Sequence, residues 1–475
     1  MDGAHRILFT PRLTAPIDQL APATLRIGTQ VSTLTLRQLP HGALKALLRL
    51  SDGPVTMAEL LALAGLDGKP SSDRFWLEVE HLFSRFAIKI AIVDDDGTVA
   101  ELTPNSQLAA PVWDHRGITG ESYRASQYTL LRHANGVLLF EQLVRHVQIH
   151  TSRPLLATIF AALADAQDLS DVSLLLPGTA EGVLPAAMWL LALSGAIERT
   201  DTTEADDPAL TVRQPHDLFL HNNSRRGLSP GRVSASYRFA GQKAPLPALR
   251  EPWPGESVVL PRPDLDVLRK CDPPLADVME RRRSVRTFQD TPLTLPQIGE
   301  FLYRIFRVKS VVPASMDNDH GYESTRRAIP SAGGMHDLEV YVAVGAVADL
   351  ERLLYHYHPA NHTLTPVCTA AHVAPAFVQG ARQATGCDRE PAIVVVLASR
   401  FGRLAWKYEG LPYSLTLRNV GVAYDAMYLV ATAMGLAGCG LGTADSALFG
   451  AATGIPAHVE SSVGEFMLGT PRAAG

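Results

Sequence analysis

The segment PAIVVVLASRF, residues 391–401, constrains the fold more than any other part of this sequence. It is apolar at nearly every position, which is typical of a strand buried on both faces. A long apolar run begins at Val422 and contains Asp425 and several glycines, which favours a buried core helix, from about 417 to 434, over a membrane span. Strands and helices are mixed here without regular alternation, and no G-x-G-x-x-G follows a strand. The C-terminal part therefore predicts an α+β domain.

Length and charge restrict the class of protein. A chain of 475 residues exceeds one ordinary domain, so we expect two to four. A hydrophobic content of 46% and a charged content of 19% indicate a folded protein with large cores. The net charge of −5 disfavours a protein that coats nucleic acid, which would carry a basic excess.

The cysteines and the N-terminal segment predict the cellular compartment. The four cysteines are far apart and form no C-x-x-C pair, so we expect free thiols and no metal site. The segment MDGAHRILFTPRL has no positive region followed by an apolar run and so does not resemble a signal peptide. We expect a cytoplasmic protein that binds neither nucleic acid nor membrane.

The N-terminal part predicts two winged-helix-like modules. Residues 1–115 show a hairpin, three helices and a second hairpin, and residues 119–225 repeat this order more loosely, with a wing at about 197–214. The recognition-helix candidate, 54–65, has no Lys or Arg, which disfavours DNA binding. Peptide binding by addition of a strand to a sheet edge and a purely structural role both remain open.

The composition changes between the modules and the α+β domain. Residues 228–263 are rich in Pro, Gly, Ser and Arg, which predicts an extended linker or an arm that lies over another domain. We assign residues 264–475 to the C-terminal domain.

Four segments of the C-terminal domain are candidates for ligand binding. The spacing R-x-S-x-R in VMERRRSVRTF, residues 278–288, is compatible with a phosphate site and equally with a solvated helix end. The small residues of PSAGG precede a strand and allow a flat ligand to approach the backbone, although glycine pairs are also common in turns. A glycine-rich loop, GLAGCGLG, follows the long helix, where a helix C-cap and turn is the alternative. The fourth segment is LGTPRAAG, with Arg472.

Together these segments resemble the FMN-binding nitroreductase superfamily. The form PSAGG…LEVYV, with HDLFLHNNSRRG and VVLPRPDL upstream, resembles one branch of it, the azoline dehydrogenases. These SagB-type FMN oxidases form thiazoles and oxazoles in the biosynthesis of ribosomal peptides. The resemblance covers residues 210–475, and it accounts for the two winged-helix-like units, because several members carry peptide-clamp modules ahead of the oxidase.

The resemblance implies an FMN site and a homodimer with flavin at the subunit interface. The phosphate and ribityl end of FMN would be held by Arg282, Ser284 and Arg286, with help from Arg283 and Arg472. The segment Ser331, Ala332, Gly333 and Gly334 would lie along the isoalloxazine ring, and the segment Gly440, Leu441 and Gly442 would cradle the flavin from another side.

The branch also has a Lys-Tyr pair, which here matches Lys407 and Tyr408 in AWKYEGLPYS. Aromatising an azoline removes a hydride and a proton, and a lysine desolvated beside other cations can have a lowered pKa and act as the base. A tyrosine can relay or orient the proton. Taken alone, the dipeptide would be interpreted as an exposed loop pair.

The sequence departs from its relatives at two places. Ser414 stands where many relatives have Arg, and His336-Asp337 stands where Tyr-Pro is frequent, so His336 is either an acid/base or substrate contact or a packing residue. His356 and His358 share a strand face without a completing carboxylate or cysteine, and we interpret them as ordinary sheet surface.

We therefore expect an FMN-dependent dehydrogenase that oxidises thiazolines or oxazolines in a ribosomally made peptide, with dioxygen as the final acceptor. Its substrate would be a modified precursor peptide and its partner a cyclodehydratase. Two alternatives remain: an NAD(P)H-dependent flavin reductase of nitroaromatics or dehydroamino acids, and a non-enzymatic scaffold that recruits peptide.

Overall fold

The structure is a computed structural model of the 475-residue chain. It describes residues 3–15, 17–29, 32–65, 73–113, 118, 120–201, 207–228, 231–314 and 321–472. The chain divides into two compact units, Met1–Val233 and Ser234–Gly475. Each unit has its own hydrophobic core.

The N-terminal unit is mixed α and β. Its strands are β1 Ile7–Pro11, β2 Asp18–Ala21, β3 Thr24–Gly28, β4 Thr33–Arg37, β5 Val55–Thr56, β6 Ile88–Asp94, β7 Gly97–Pro104, β8 Tyr123–Ala125, β9 Thr129–Ala134, β10 Val137–Gln142, β11 Val147–Thr151 and β12 Ile197–Arg199. Its helices are α1 His41–Arg49, α2 Met57–Ala64, α3 Asp73–Ser84, α4 Leu155–Ala162, α5 Leu169–Leu175, α6 Val183–Ser194, α7 Pro208–Thr211 and α8 Pro215–Asn223.

One sheet runs through both predicted modules of this unit. Its order is β5-β1-β6-β7-β11-β10-β9, and the antiparallel pair β7–β11 joins a strand of the first module to one of the second. The expected hairpins are present as β3–β4, β6–β7 and β9–β10. Asn135 and Gly136 both have positive φ in the β9–β10 turn, as its tight geometry requires. The expected wing at 197–214 lies partly outside the described residues.

The C-terminal unit is an α+β fold. Its strands are β13 Ser234–Ala235, β14 Val258–Val259, β15 Val308–Val312, β16 Ser324–Arg327, β17 Leu338–Val344, β18 Leu354–His358, β19 Thr363–Cys368, β20 Ile393–Arg400, β21 Tyr408–Glu409, β22 Ala437–Leu441 and β23 Glu460–Gly469. Its helices are α9 Leu265–Cys271, α10 Leu275–Arg281, α11 Leu295–Phe306, α12 Val373–Thr385, α13 Phe401–Lys407, α14 Pro412–Ala433 and α15 Ser446–Thr453.

The central sheet of this unit is covered on both faces. Its order is β14-β19-β18-β17-β20-β23-β22, and all its pairs are antiparallel. Alternate residues of β17 and β20 pack with α11 and α14 on one face and with α12 and α15 on the other. Every residue of β20 is buried, which confirms the buried strand expected from PAIVVVLASRF.

Two local expectations are wrong, and in both cases the reason is that the central sheet is covered on both faces. The glycine-rich segment after α14 is not only a loop, because residues 437–441 form strand β22 against β23. His356 and His358 do not lie on a sheet surface, because β18 is buried on both faces. Sequence patterns alone do not show which faces of an antiparallel sheet are covered.

The predicted arm is largely part of the C-terminal unit. Strand β13 pairs with β21, and β14 pairs with β19 at the edge of the central sheet. The described helices include none that combines the length and apolarity needed to cross a bilayer.

Candidate functional site

The R-x-S-x-R segment and the glycine-rich strand β22 meet through one tyrosine of α14. The Tyr428 hydroxyl lies 2.9 Å from Ser284 Oγ and accepts a hydrogen bond of 2.8 Å from the Gly440 backbone N–H. The Val285 N–H donates to the Gly438 carbonyl at 3.0 Å, so the backbone after α10 runs beside β22. Two of the four predicted segments are therefore adjacent.

The arginines of this segment have the properties of an anion site. Helix α10 ends at Arg281, so Arg282 and the residues after it leave the helix. Arg282, Arg283 and Arg286 are exposed, and within the described residues no ion pair joins them to a carboxylate. The Arg282 guanidinium lies over the Tyr428 ring, 5.4 Å from its centroid. Uncommitted guanidinium groups beside a serine hydroxyl fit a phosphate.

Gly440 allows strand β22 to pack closely against helix α14. A Cβ at this position would lie 3.2 Å from the Tyr424 ring, so a larger residue would press against α14. The Tyr424 hydroxyl donates to the Leu441 carbonyl at 3.0 Å and fixes the end of β22. At Gly442 a Cβ would meet open space.

The PSAGG segment forms a short turn that α14 holds in place. Residues Ala332–Gly334 form a single 3₁₀ turn in which Gly333 and Gly334 have positive φ. The Ala332 N–H donates to Asn419 Oδ1 of α14 at 3.0 Å. Positive φ favours glycine, so the pair at 333–334 is required by the turn itself.

A buried carboxylate fixes that contact. Asp337 is fully buried and accepts hydrogen bonds from Asn419 Nδ2 at 2.6 Å and from the Thr416 hydroxyl at 2.8 Å. The Ser399 hydroxyl donates to it as well, also at 2.8 Å. Because Asn419 donates to Asp337, its Oδ1 is directed at Ala332, so Asp337 orients the turn through Asn419.

Lys407 and Tyr408 lie against the same turn. Lys407 ends α13 and is only 7% exposed, so it is not part of an exposed loop pair. A Cβ on Gly333 would overlap the Tyr408 hydroxyl oxygen and would lie 3.0 Å from Lys407 Nζ. The structure thus brings the Lys-Tyr pair to the backbone predicted to lie along the flavin ring.

Lys407 is enclosed by tyrosines that the sequence analysis did not identify. Its Nζ donates to the Tyr322 hydroxyl at 2.5 Å and lies 4.8 Å from the Tyr322 ring centroid. The rings of Tyr237 and Tyr408 are 5.4 and 5.6 Å from Nζ. Burial acts to lower the pKa of Lys407, but hydrogen bonds to Tyr322 and Tyr237 outweigh it and raise the pKa above the ordinary value. The expected lowering of this pKa is therefore wrong.

Arg403 anchors three chain segments around the site. It is fully buried and donates to the Met335 carbonyl from Nε at 3.0 Å and from Nη2 at 2.8 Å. It also donates to the carbonyls of Leu246 at 2.5 Å and Glu323 at 3.3 Å. Burial, together with the nearby Arg400, lowers its pKa to about 10. Arg403 ties α13 to the arm, to the segment before β16 and to the turn.

His336 has a strained and desolvated environment. It is buried, and its φ of 44° is unusual for a residue other than glycine. Its backbone N–H donates to Ser331 Oγ at 3.1 Å. Burial and the nearby Arg327 and Arg403 lower its pKa to about 3, so the imidazole is neutral near pH 7.

Arg472 is engaged elsewhere. Its guanidinium pairs with Asp388 at 3.2 Å, while its backbone N–H donates to the Thr287 carbonyl at 3.2 Å. The backbone of Arg472 is therefore next to the R-x-S-x-R segment, whereas its charged end is directed to a carboxylate.

His356 of β18 belongs to a buried polar network. His356 Nε2 lies 2.9 Å from Glu339 Oε2, and Arg400 donates to the other oxygen of Glu339 at 3.2 Å. The sequence analysis missed this carboxylate because it lies on the neighbouring strand β17. The described residues contain no group of three or more His, Cys, Asp or Glu side chains placed to hold a metal ion.

The site residues that were not predicted from the sequence have only weak sequence signals. Asn419 and Thr416 are polar positions inside an apolar helix, and a polar side chain there requires a buried partner. Tyr237 and Tyr322 lie in irregular segments without periodicity, so no pattern distinguishes them from surface tyrosines.

The C-terminal unit is similar in sequence to a known family. The model of the Nitroreductase family matches residues 279–470. A protein assigned as a nitroreductase in Methanocaldococcus jannaschii is 27% identical over 182 residues, which cover 38% of this chain and 82% of that protein.

Several solved structures are also similar to this chain. A protein described as a nitroreductase from Ralstonia eutropha has 22% identity and a TM-score of 0.36, with 49% of this chain and 97% of that chain covered. The Escherichia coli microcin synthetase complex McbBCD with truncated pro-MccB17 bound has 18% identity and a TM-score of 0.33, with 57% of this chain and 96% of that chain covered.

Residues 279–470 form a nitroreductase-family domain, and the C-terminal region has the nitroreductase-like α+β fold. The family is one of flavin oxidoreductases, typically dependent on FMN.

Proposed function

We propose that this protein is an FMN-dependent dehydrogenase that converts thiazolines or oxazolines in a ribosomally made peptide to thiazoles or oxazoles. The observation that carries the proposal is the contact of Lys407 and Tyr408 with the Gly333 backbone. Two proton-handling side chains lie at the turn where the flavin ring is expected, and the Lys-Tyr motif is the one that resembles the azoline dehydrogenases.

The residues present fit FMN. Arg282, Ser284 and Arg286 supply uncommitted guanidinium groups and a hydroxyl for the phosphate, with Arg283 beside them. Gly334 in the turn and Gly442 after β22 both face open space, where the backbone is accessible to a ring. Arg472 is a secondary candidate, since its guanidinium would have to leave Asp388 to reach the phosphate.

The reaction removes two electrons and two protons from the azoline ring. When bound, FMN would supply the acceptor for the hydride, and dioxygen, as the final acceptor, would leave as hydrogen peroxide with the two electrons and two protons taken from the ring. The remaining proton leaves the substrate to a base, for which Lys407 is the candidate and Tyr408 the relay. Because Lys407 is protonated near pH 7 in this structure, it has to lose a proton before it can act.

The N-terminal unit is proposed to hold the precursor peptide or a cyclodehydratase partner, and the enzyme to act as a homodimer. Strand β9 is the last strand of its sheet, and the side chains of residues 131–133 are exposed. An exposed edge strand can pair with an extended peptide.

The test begins with an absorbance spectrum of the pure protein, which we expect to be yellow with FMN. A synthetic azoline peptide should then lose about 2 Da per ring, the two hydrogens of a two-electron oxidation. A colourless protein that takes up no FMN would overturn the proposal. Rapid bleaching of the flavin by NADPH without loss of mass from the peptide would favour the reductase alternative.

A further inference from the structure

The enclosure of Lys407 fixes both its backbone and its side chain. The Lys407 carbonyl accepts a hydrogen bond of 3.1 Å from the Tyr237 N–H, directly after the pairing of Ala235 with Tyr408. The Lys407 ammonium donates to the Tyr322 hydroxyl at 2.5 Å and lies 5.4 Å from the centroid of the Tyr237 ring. Two tyrosines from separate segments thus hold one lysine.

The enclosing rings are themselves packed together. Trp406 lies 6.0 Å from the ring centroid of Tyr237 and 5.9 Å from that of Tyr322. The Tyr237 and Tyr322 centroids are 6.4 Å apart. Tyr237 has a φ of 50°, a conformation that costs free energy in a residue other than glycine and persists only where surrounding contacts impose it. The contacts around Tyr237 therefore hold it in this strained conformation.

We propose that Tyr322 and Tyr237 are positioning residues that hold the Lys407 ammonium at the Gly333 backbone and thereby set the pH range in which Lys407 can accept a proton. The two hydroxyls are acceptors, so they stabilise the ammonium form over the neutral amine. The part of this proposal that concerns turnover rests on the proposed function, whereas the part that concerns protonation does not.

The groups around Lys407 make the direction of the effect clear. The titratable side chains that act on it are Tyr322 from the segment before β16, Tyr237 from the arm and Tyr408 from its own segment. Within the described residues, no ion pair joins Lys407 to a carboxylate. Removal of either hydroxyl takes away one of the influences that favour the ammonium, so the balance moves toward the neutral amine that burial favours.

The first experiment measures protonation directly in the full-length protein as purified. Acetic anhydride is applied in short pulses between pH 7 and 11, and acetylation of Lys407 is quantified by peptide mass spectrometry against the exposed Lys309. We expect the midpoint of Lys407 labelling to fall by about one pH unit in Tyr322→Phe, since a hydrogen bond to a charged group changes a protonation equilibrium about tenfold. Tyr237→Phe should shift it in the same direction.

Tyr303→Phe is the matched control. It removes a tyrosine hydroxyl on α11, where the ring packs against His362 instead of Lys407. Its labelling midpoint should equal that of the wild type. If Tyr322→Phe fails to fold, Tyr237→Phe carries the test alone. An unchanged Lys407 midpoint in a folded variant of either tyrosine would overturn the proposal.

The second experiment follows the pH dependence of kcat/KM for an azoline peptide. Tyr322→Phe should move the ascending limb to lower pH by the same interval as the labelling midpoint. A tyrosine that only supports packing would lower the rate at all pH values without moving the limb, which would contradict the proposal. Shifted labelling in a protein that oxidises no azoline would refute the proposed function and leave the role of the tyrosines intact.

Discussion

Gly333 is subject to two independent requirements. Its φ is +56°, which favours glycine, and a Cβ would overlap the Tyr408 hydroxyl. Gly334 has a φ of +67° but open space where its Cβ would lie. Substitutions at Gly333 and Gly334 therefore distinguish the effect of backbone strain from the effect of steric overlap.

We expect Gly333→Ala to reduce azoline oxidation at least tenfold, because Tyr408 and Lys407 must move away from the turn. Gly334→Ala should cost about 1 kcal/mol of stability through strain alone and keep most of the activity. Steady-state rates and thermal unfolding of both variants provide the measurement. Equal losses of activity in the two variants would show that the contact with Tyr408 is unimportant.

Lys407→Ala should leave the protein yellow and slow azoline oxidation by about 10²-fold or more, the usual contribution of a positioned acid or base. The exposed Lys309 gives a control, and Lys309→Ala should behave as the wild type. Flavin content by absorbance and product mass per unit time are the two readouts. Unchanged turnover would remove Lys407 from the mechanism.

At the scale of elements, α14 is the structure that joins the candidate segments. Tyr428 contacts Ser284 and Gly440, whereas Asn419, about two and a half turns earlier, contacts Ala332. One helix therefore connects the predicted phosphate end of the site with the predicted ring end. Its register relative to β17 is fixed by the bonds from Thr416 and Asn419 to Asp337.

Asp337→Asn should destabilise the protein by about 2–4 kcal/mol. The carboxylate accepts three hydrogen bonds on its two oxygens, whereas an amide has only one oxygen to accept them. The substitution should also weaken FMN binding, because Asn419 no longer has a fixed orientation toward Ala332. Asp425→Asn changes an exposed carboxylate on α14 and should do neither. Denaturant unfolding and fluorescence titration with FMN distinguish the two variants. Equal FMN affinity in both would show that Asp337 does not orient the turn.

Many of these secondary-structure elements were predictable from the sequence. The sequence predicted hairpins within residues 1–115 and 119–225, and the run of apolar residues predicted β20. Strand β22 was missed because its glycines suggest a turn, and only pairing with β23 makes it extended. The pair Lys407-Tyr408 was predicted by resemblance, but Tyr322 was not, because 85 residues separate it from Lys407 and no local pattern marks the contact.

At the scale of the whole molecule, the unit boundary at 233–234 differs from the predicted start of the oxidase domain at 264. A fragment of residues 234–475 should unfold in one transition and bind FMN. A fragment of residues 264–475 lacks β13 and β14, which pair with β21 and β19, and lacks the Leu246 carbonyl that accepts from Arg403. We expect it to aggregate or to bind FMN at least tenfold more weakly. Equal behaviour of the two fragments would show that the arm is dispensable.

Stability should also depend on pH through Glu465. This side chain is buried in β23, and burial raises its pKa from 4.5 to about 7. The folded state thus holds a proton that the unfolded state has lost, so stability is full below pH ~4.5 and falls as the pH rises toward ~7, by up to roughly 3 kcal/mol. Glu465→Gln should remove this decline, so its stability relative to the wild type should be higher at pH 8 than at pH 4. Parallel pH profiles of chemical unfolding would contradict the assignment.

The arm also has a consequence for biosynthesis. Leu246 and Arg403 are 157 positions apart, so at the ribosome the arm is translated long before the helix that it holds. In the nascent chain the arm has no partners until α13 has been synthesised. Its composition, rich in Pro, Gly and Ser, is favourable during this interval, because such a segment neither collapses nor aggregates readily. Completion of the lysine enclosure is therefore a late event of synthesis, since a chain truncated before residue 401 lacks both Arg403 and Lys407.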